Sequence, residues 1–254
     1  MSLARIMLAV IALAALISAL RLMAADSGAT SPAITSAPLS TDQVVDNLVR
    51  RNQERAQALV HSEATRVYRL VYHGLPSDRI AEMTVHASYD KPSLKEFTVV
   101  SQGGSKLIMN HVFKKLLDSE KEAAQPATRA KTELNRDNYN FVLVGYEPAK
   151  TGGQYLLRVD PKARSKYVYR GRVWVDGTDF AVTRIESEPA ENPSFWTKNS
   201  TIHVEYGKVQ DFWVPVKNES VSYIRLGGRA TLTIEYKDYR LTNARQTSTA
   251  AAHE

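Results

Sequence analysis

Cysteine is missing altogether from the 254 residues, which removes disulfide scaffolds, cysteine-ligated zinc or iron–sulfur centres, thiol catalysis and lipid attachment through a modified cysteine. Glycine (12) and proline (10) are sparse and aperiodic, so collagen is excluded. An excess of one charge is lacking too. The formal net charge is +6, but Arg5 and Arg21 belong to a segment, residues 1–25, with no acidic residue. The rest carries 31 basic against 27 acidic side chains, too even for a phosphate-binding surface, and no nucleic-acid partner is expected. With 43% hydrophobic and 24% charged residues the chain has the make-up of a protein that buries a core.

Catalytic signatures are equally scarce. The six histidines, at 61, 73, 86, 111, 203 and 253, show no metal-ligand spacing, and there is no His-Glu-x-x-His or acidic calcium loop. Neither Gly-x-Ser-x-Gly nor an acyl-transfer Ser-x-x-Lys setting occurs. Gly103-Gly104-Ser105-Lys106 lacks the glycine–lysine spacing of a nucleotide loop and reads as a helix start. Asp176 and Asp179 flank a turn glycine, and Glu186, Glu188 and Glu191 surround Pro189. Solvated turns explain such carboxylates better than an acid–base pair, which needs two groups facing across a substrate. No enzyme activity, metal or cofactor is expected.

What is present begins with the N-terminus. Arg5 precedes an uncharged apolar run, Ile6 to Leu20, and small residues follow at Ala24 and Ala25, the order of a secretory signal. Fifteen residues of helix span about 22 Å, short of the ~30 Å hydrocarbon core. A cleaved signal peptide is therefore favoured over an uncleaved inner-membrane anchor. Either one exports the rest of the chain, and a cysteine-free exported protein suits the bacterial periplasm. Residues 26–40, with Ser27, Gly28, Pro32 and Pro38, read as a flexible linker, 41–241 as a single domain and 242–254 as a disordered tail. Asn199-Ser200-Thr201 and Asn218-Glu219-Ser220 match the glycosylation triplet but read as strand-edge polar residues.

Ser40 and Gln43 form a capping-box pair ahead of Val44, Val45, Leu48, Val49, Ala56, Leu59 and Val60, which predicts an amphipathic helix over 41–62. The period then drops to two in Tyr68-Leu70-Tyr72, Met83-Val85-Ala87-Tyr89 and Phe97-Val99, giving three strands. Leu107, Ile108, Val112, Leu116 and Leu117 predict a second helix over 105–122, and a polar third covers 126–137. Strands follow at 139–147, 153–160, 166–175, 179–187, 200–209, 212–224 and 229–240, with turns at Gly152-Gly153, Asp176-Gly177-Thr178-Asp179 and Gly227-Gly228. Loops this short make neighbouring strands antiparallel. The fold class is thus α+β and mostly β: a single curved antiparallel sheet, a half-barrel of ten or eleven strands covered by two or three helices.

The strands are one-sided. Ile202, Val204 and Tyr206 alternate with Thr201, His203 and Glu205, and Leu232, Ile234 and Tyr236 with Thr231, Thr233 and Glu235. In Lys166 to Val175 alternation groups Tyr167, Tyr169 and Val173 apart from Arg170, Arg172 and Trp174. A nucleic-acid stacking platform can be built from such residues, but a tyrosine-rich strand face is more often core. Two amphipathic helices do not obviously cover ten strands, which leaves room for a hydrophobic groove. The candidate ligand-binding positions are Tyr167, Tyr169, Val173, Phe180, Val182, Ile202, Val204, Tyr206, Leu232, Ile234 and Tyr236, and core packing is the competing reading for each.

The order of elements, with the stretch Gly171-Arg172-Val173-Trp174-Val175-Asp176-Gly177-Thr178-Asp179-Phe180-Ala181-Val182-Thr183-Arg184-Ile185-Glu186, resembles the LolA/LolB-like periplasmic proteins. That group includes outer-membrane lipoprotein-sorting proteins and is related to the N-terminal domain of the RseB/MucB regulators. Gly207 to Pro215 and the closing strand Ala230 to Arg240 carry the likeness further, over about 41–241. The resemblance implies a half-barrel closed by helices around a cavity for acyl chains, with an inner-membrane transporter or another envelope protein as partner. LolB-type acceptors are lipid-anchored, which a chain without cysteine cannot match. The function expected is therefore non-catalytic binding, by a monomer, of a lipid or of a lipoprotein's acyl chains. The alternative is an envelope adaptor or stress-sensor domain that binds a protein segment on the same scaffold. A hydrolase, resting on His73, His86 or His203, is the third reading.

Overall fold

The computed structural model describes residues 38–149, 152–191, 197–225 and 227–244. The expected signal or anchor, most of the linker and most of the tail lie outside the described residues.

Helix α1 (Thr41–Ala58) starts where the sequence places it. The Gln43 backbone N–H donates to Ser40 Oγ (3.3 Å) and the Ser40 N–H to Gln43 Oε1 (2.9 Å). Its end differs from the expected 62. Leu59 turns extended, with φ −73° and ψ 120°, and opens strand β1 (Leu59–Gly74). Residues 59–62 pair with Asn243, Thr242 and Leu241 on one side and with Asp90 and Tyr89 on the other, so ladder bonds win over helical periodicity.

Strands β2 (Arg79–Asp90) and β3 (Leu94–Gly104) follow. A long helical stretch comes next: Lys106–Ile108, a π-helical turn Met109–Phe113 and Lys114–Ala124 run on as one segment, α2. Helix α3 (Pro126–Thr132) is five residues shorter than expected. Asn135 ends it, because its side-chain carbonyl accepts the N–H groups of Asp137 and Asn138, both at 3.1 Å, and holds a turn there.

The remaining strands are β4 (Tyr139–Glu147), β5 (Gln154–Pro161), β6 (Tyr169–Asp176), β7 (Val182–Pro189), β8 (Thr197–Val209), β9 (Phe212–Ile224) and β10 (Gly228–Asn243). The strand expected from 166 begins three residues later, which leaves Tyr167 in the preceding turn. The one expected from 179 also begins three later, which leaves Phe180 in the β6–β7 turn with φ 48°.

All ten strands form one antiparallel sheet in the order β3-β2-β1-β10-β9-β8-β7-β6-β5-β4. The meander β4 to β10 closes onto β1, and α2 and α3 carry the chain from one sheet edge to the other. Bulges at Glu63/Thr65, Thr84/Val85, Leu143/Gly145, Trp174/Val175 and Glu205/Tyr206 bend the strands, as a sheet of this size needs if it is to curl.

Register fixes which side chains share the inner, helix-covered face. One row runs Leu143, Leu157, Val173, Ile185, Val204, Asn218, Ile234, Tyr68 and Met83. The next runs Phe141, Val159, Gly171, Ser187, Ile202, Ser220, Leu232, Leu70 and Ala81.

Candidate functional site on the inner sheet face

The inner face carries two separate apolar clusters, each under its own helix. The first joins Val44, Val45 and Leu48 of α1 to Tyr155, Leu157, Val173, Ile185, Ile202 and Val204 on β5 to β8. The second joins Ile108, Val112, Phe113 and Leu116 of α2 to Tyr68, Leu70, Met83, Val85, Leu232, Ile234 and Tyr236 on β1, β2 and β10. In α2 the π-helical turn widens the spacing, so that Ile108, Val112, Phe113 and Leu116 are all buried.

The sequence-predicted positions divide between the two. Tyr169, Val173, Ile202 and Val204 lie within the first cluster, and Phe180, Val182 and Tyr206 pack against it. Leu232, Ile234 and Tyr236 lie within the second. Tyr167 belongs to neither. It sits outside β6, with the Lys166 ammonium 4.5 Å from its ring centroid, so the alternation that groups it with Tyr169 does not extend that far back.

Between the clusters runs a polar seam that sequence reasoning missed. Asn218, Ser220 and Ser222 occupy three successive inward positions of β9, flanked by Ser200 on β8 and Ser187 on β7. All five are at most 2% exposed. This corrects the expectation that Asn218-Glu219-Ser220 and Asn199-Ser200-Thr201 are strand-edge residues. β9 is the fifth strand from the β3 edge, and Asn218, Ser220 and Ser200 are interior, whereas Asn199 is exposed. Ser200 and Ser222 satisfy one another through an Oγ–Oγ hydrogen bond of 2.9 Å. Among the described residues Ser187 Oγ and Ser220 Oγ have no protein partner. A buried hydroxyl left unpaired costs about 1–3 kcal/mol, so two of them in the middle of a sheet are an expense with no return in packing.

A second polar group attaches α2 to the sheet. The Glu120 carboxylate accepts from Arg66 Nη1 at 2.6 Å, Lys95 Nζ at 2.7 Å and the Tyr68 hydroxyl at 3.2 Å. Burial works to raise the Glu120 pKa, but Lys95 and Arg66 outweigh it and hold the carboxyl down at about 2. The Arg66 guanidinium also lies 5.1 Å from the Tyr236 ring centroid and 5.5 Å from that of Phe97. The periodicity of α2 hides this site, since Glu120 looks like any helix-surface acid until the helix is docked.

Attachment of α1 is lighter. Arg55 donates to the carbonyls of Asp179 (3.0 Å) and Phe180 (2.9 Å), and Arg136 pairs with Asp42 (2.8 Å) and Asp46 (3.1 Å). Asp179 itself takes Lys208 Nζ at 2.6 Å and Trp213 Nε1 at 2.9 Å, which fixes the β6–β7 hairpin that receives Arg55.

Chemistry-bearing side chains elsewhere are dispersed. His73 faces Asp78 (2.7 Å), His203 faces Glu205 (2.9 Å) and His86 lies 3.8 Å from Glu63, on three different strands. Among the described residues no group of three His, Cys, Asp or Glu side chains could hold a metal ion. Two open depressions, of about 710 and 440 Å³, involve strands β4 to β7 and β1 to β3 respectively. The larger is lined by Val142, Val144, Arg158, Arg170, Arg172 and Glu188 among others.

No protein-family model and no curated protein matches the chain. Solved structures do. A DUF1329 family protein from Desulfovibrio piger is 15% identical with a TM-score of 0.41, over 82% of this chain and 94% of that one. A LolA superfamily protein from Nitrosomonas europaea is 11% identical with a TM-score of 0.37, over 80% and 94%. MucB in the MucA/MucB complex from Pseudomonas aeruginosa is 10% identical with a TM-score of 0.26, over 80% and 100%. The LolA and MucB groups to which the sequence pattern points are thus among the structures this chain is similar to. Identities this low carry no residue role across.

Proposed function

We propose that the protein is a non-catalytic binding protein of the periplasm that takes the acyl chains of a lipid or lipoprotein onto its inner sheet face, with α1 and α2 as covers. The observation that carries this reading is the division of one continuous sheet face into two apolar clusters, each closed by a different helix. A ligand enters by exchanging its own hydrocarbon for that of a helix. The three fully buried apolar side chains of α1, Val44, Val45 and Leu48, are worth about 1.5–3 kcal/mol each. Burying an acyl chain returns about 0.8 kcal/mol per methylene, so roughly ten methylenes offset the loss of that cover. Release then follows when a transporter or another envelope protein competes for the displaced helix.

Export rests on residues 1–25, which lie outside the described residues. Among the described residues no helix is long and apolar enough to cross a membrane. The test is native mass spectrometry of protein purified from envelope fractions, together with uptake of a fluorescent acyl probe by delipidated protein. Copurified lipid, or probe uptake that quenches Trp174 and Trp213, is expected. Finding neither ends the carrier reading.

The second reading is an adaptor for a protein segment. What favours it is that both clusters are filled by their own side chains, with Val44, Leu48, Ile108, Phe113 and Leu116 all at 0% exposure, while the two depressions are open to solvent. Crosslinking in intact cells separates the readings, since a stable protein partner without bound lipid supports the adaptor.

A further inference from the structure

The seam follows β9, between Ile202 and Val204 of the first cluster and Leu232 and Ile234 of the second, and Ser187 on β7 lies one strand beyond Ile202, within the ground of the first cluster. Ser187, Ile202, Ser220 and Leu232 stand directly opposite one another on successive strands, so the two hydroxyls lie two strand spacings apart, about 10 Å. Beside them Gly171 removes a side chain from the same row, and Ser200, Ser222 and Ala230 keep the next row short. A stripe of small residues is ordinary. What singles this one out is that Ser187 and Ser220 are 0% and 2% exposed and that neither hydroxyl oxygen has a partner among the described residues. Buried hydroxyls are normally paired, and alanine at either site would keep the volume with nothing left to satisfy. The environment of Ser220 is also directional: Ile202 of the cluster under α1 on one side, Leu232 of the cluster under α2 on the other.

We propose that Ser187 and Ser220 form a subsite for the ester or amide carbonyls of a ligand with two apolar arms, the carbonyls lying on the seam and one arm passing to each cluster. This rests on the acyl-binding reading above and adds a selectivity to it. Hydrocarbon alone gains nothing from the seam, whereas a carbonyl accepts from hydroxyls that are otherwise unpaired. Two sources share that chemistry, a diacyl membrane lipid and a diacylated peptide.

The test compares a fluorescent glyceryl diester with its di-O-alkyl ether of equal chain length, which has the same arms and no carbonyl. Delipidated full chain is expected to bind the diester about tenfold more tightly, as one or two net hydrogen bonds give. In Ser187→Ala/Ser220→Ala that ratio falls towards one through loss of diester affinity. Should the double variant fail to fold, as judged by circular dichroism, the wild-type ratio alone decides. Equal binding of diester and ether by the wild type overturns the subsite and leaves the acyl-binding reading standing, with water as the partner of the two hydroxyls. Binding of neither probe overturns both. Competition with phosphatidylglycerol vesicles against a diacylated peptide then identifies the source, and displacement of the diester by either one supports the subsite.

Discussion

Glu120→Gln keeps the shape of a buried side chain and removes the charge that faces Arg66 at 2.6 Å and Lys95 at 2.7 Å. The wild-type carboxyl is held at about 2 against an ordinary 4.5. At 1.36 kcal/mol per unit, that difference corresponds to roughly 3 kcal/mol of folding stability at neutral pH. Because the folded pKa is depressed, this stability is fully present above about pH 4.5 and is lost as pH falls towards 2. Removing one partner of a buried ion pair leaves the others uncompensated, typically at 3–5 kcal/mol, so the two routes to a magnitude agree. Urea unfolding at pH 7, followed by tryptophan fluorescence, is expected to place Glu120→Gln about 3 kcal/mol below wild type. Near pH 2, where the wild-type carboxyl is itself about half protonated, most of the gap closes. Replacing the whole group, as Glu120→Leu with Arg66→Met and Lys95→Met, is expected to recover most of the loss, since apolar side chains need no counter-charge. A deficit below about 1 kcal/mol at pH 7, or one that persists unchanged at pH 2, refutes the argument that Glu120 anchors α2 electrostatically.

Leu48→Ala removes the third buried anchor of α1 and is expected to cost about 2–5 kcal/mol in chemical denaturation; a smaller loss means that α1 is not packed on the sheet. Gly171→Ala puts a Cβ against the Glu186 carbonyl and the Ser187 Cβ at φ +154°, so β6 and β7 must part. A melting temperature within about 2 °C of wild type would contradict that contact. The hydrogen bond of His61 to Asp90 (2.7 Å) favours the protonated imidazole and raises its pKa above the ordinary 6.5, with Glu63 adding to the shift. The stability it contributes is present below 6.5 and lost as pH rises through the raised value, and Asp90→Asn should lower the histidine titration, read by NMR, towards its ordinary position, with Glu63 holding part of the shift.

Much of the architecture is legible because it rests on local signals. The Ser40–Gln43 capping box, the glycine pairs at the turns and the alternation of Ile202-Val204-Tyr206 and Leu232-Ile234-Tyr236 each act within a few residues of themselves. Residues 59–62 show the limit of such signals. Leu59 and Val60 fit the helical stripe of α1 as well as they fit a strand, and partners outside the segment, Asn243 and Thr242 on one side and Asp90 and Lys91 on the other, decide in favour of β1. The site is less legible for a related reason. Alternation in β9 puts Asn218, Ser220 and Ser222 on one face, and taken alone that face looks solvent-exposed, because polarity is the usual mark of exposure. Its burial follows from the order of strands: β9 has Ile202 and Val204 on one side and Leu232 and Ile234 on the other. Strand order is set by the closure of β10 onto β1, a pairing between residues more than 150 positions apart, which no local window contains. The signal that was available is a contrast between neighbours in sequence. β8 and β10 alternate apolar with polar, whereas β9, between them, alternates small polar residues with Lys217, Glu219 and Val221. A stretch of strand such as 217–222 with no apolar face, placed between two strands that have one, is either outside the sheet or at a polar line within its core. In a meander with a turn as short as Gln210-Asp211, it has nowhere outside the sheet to go.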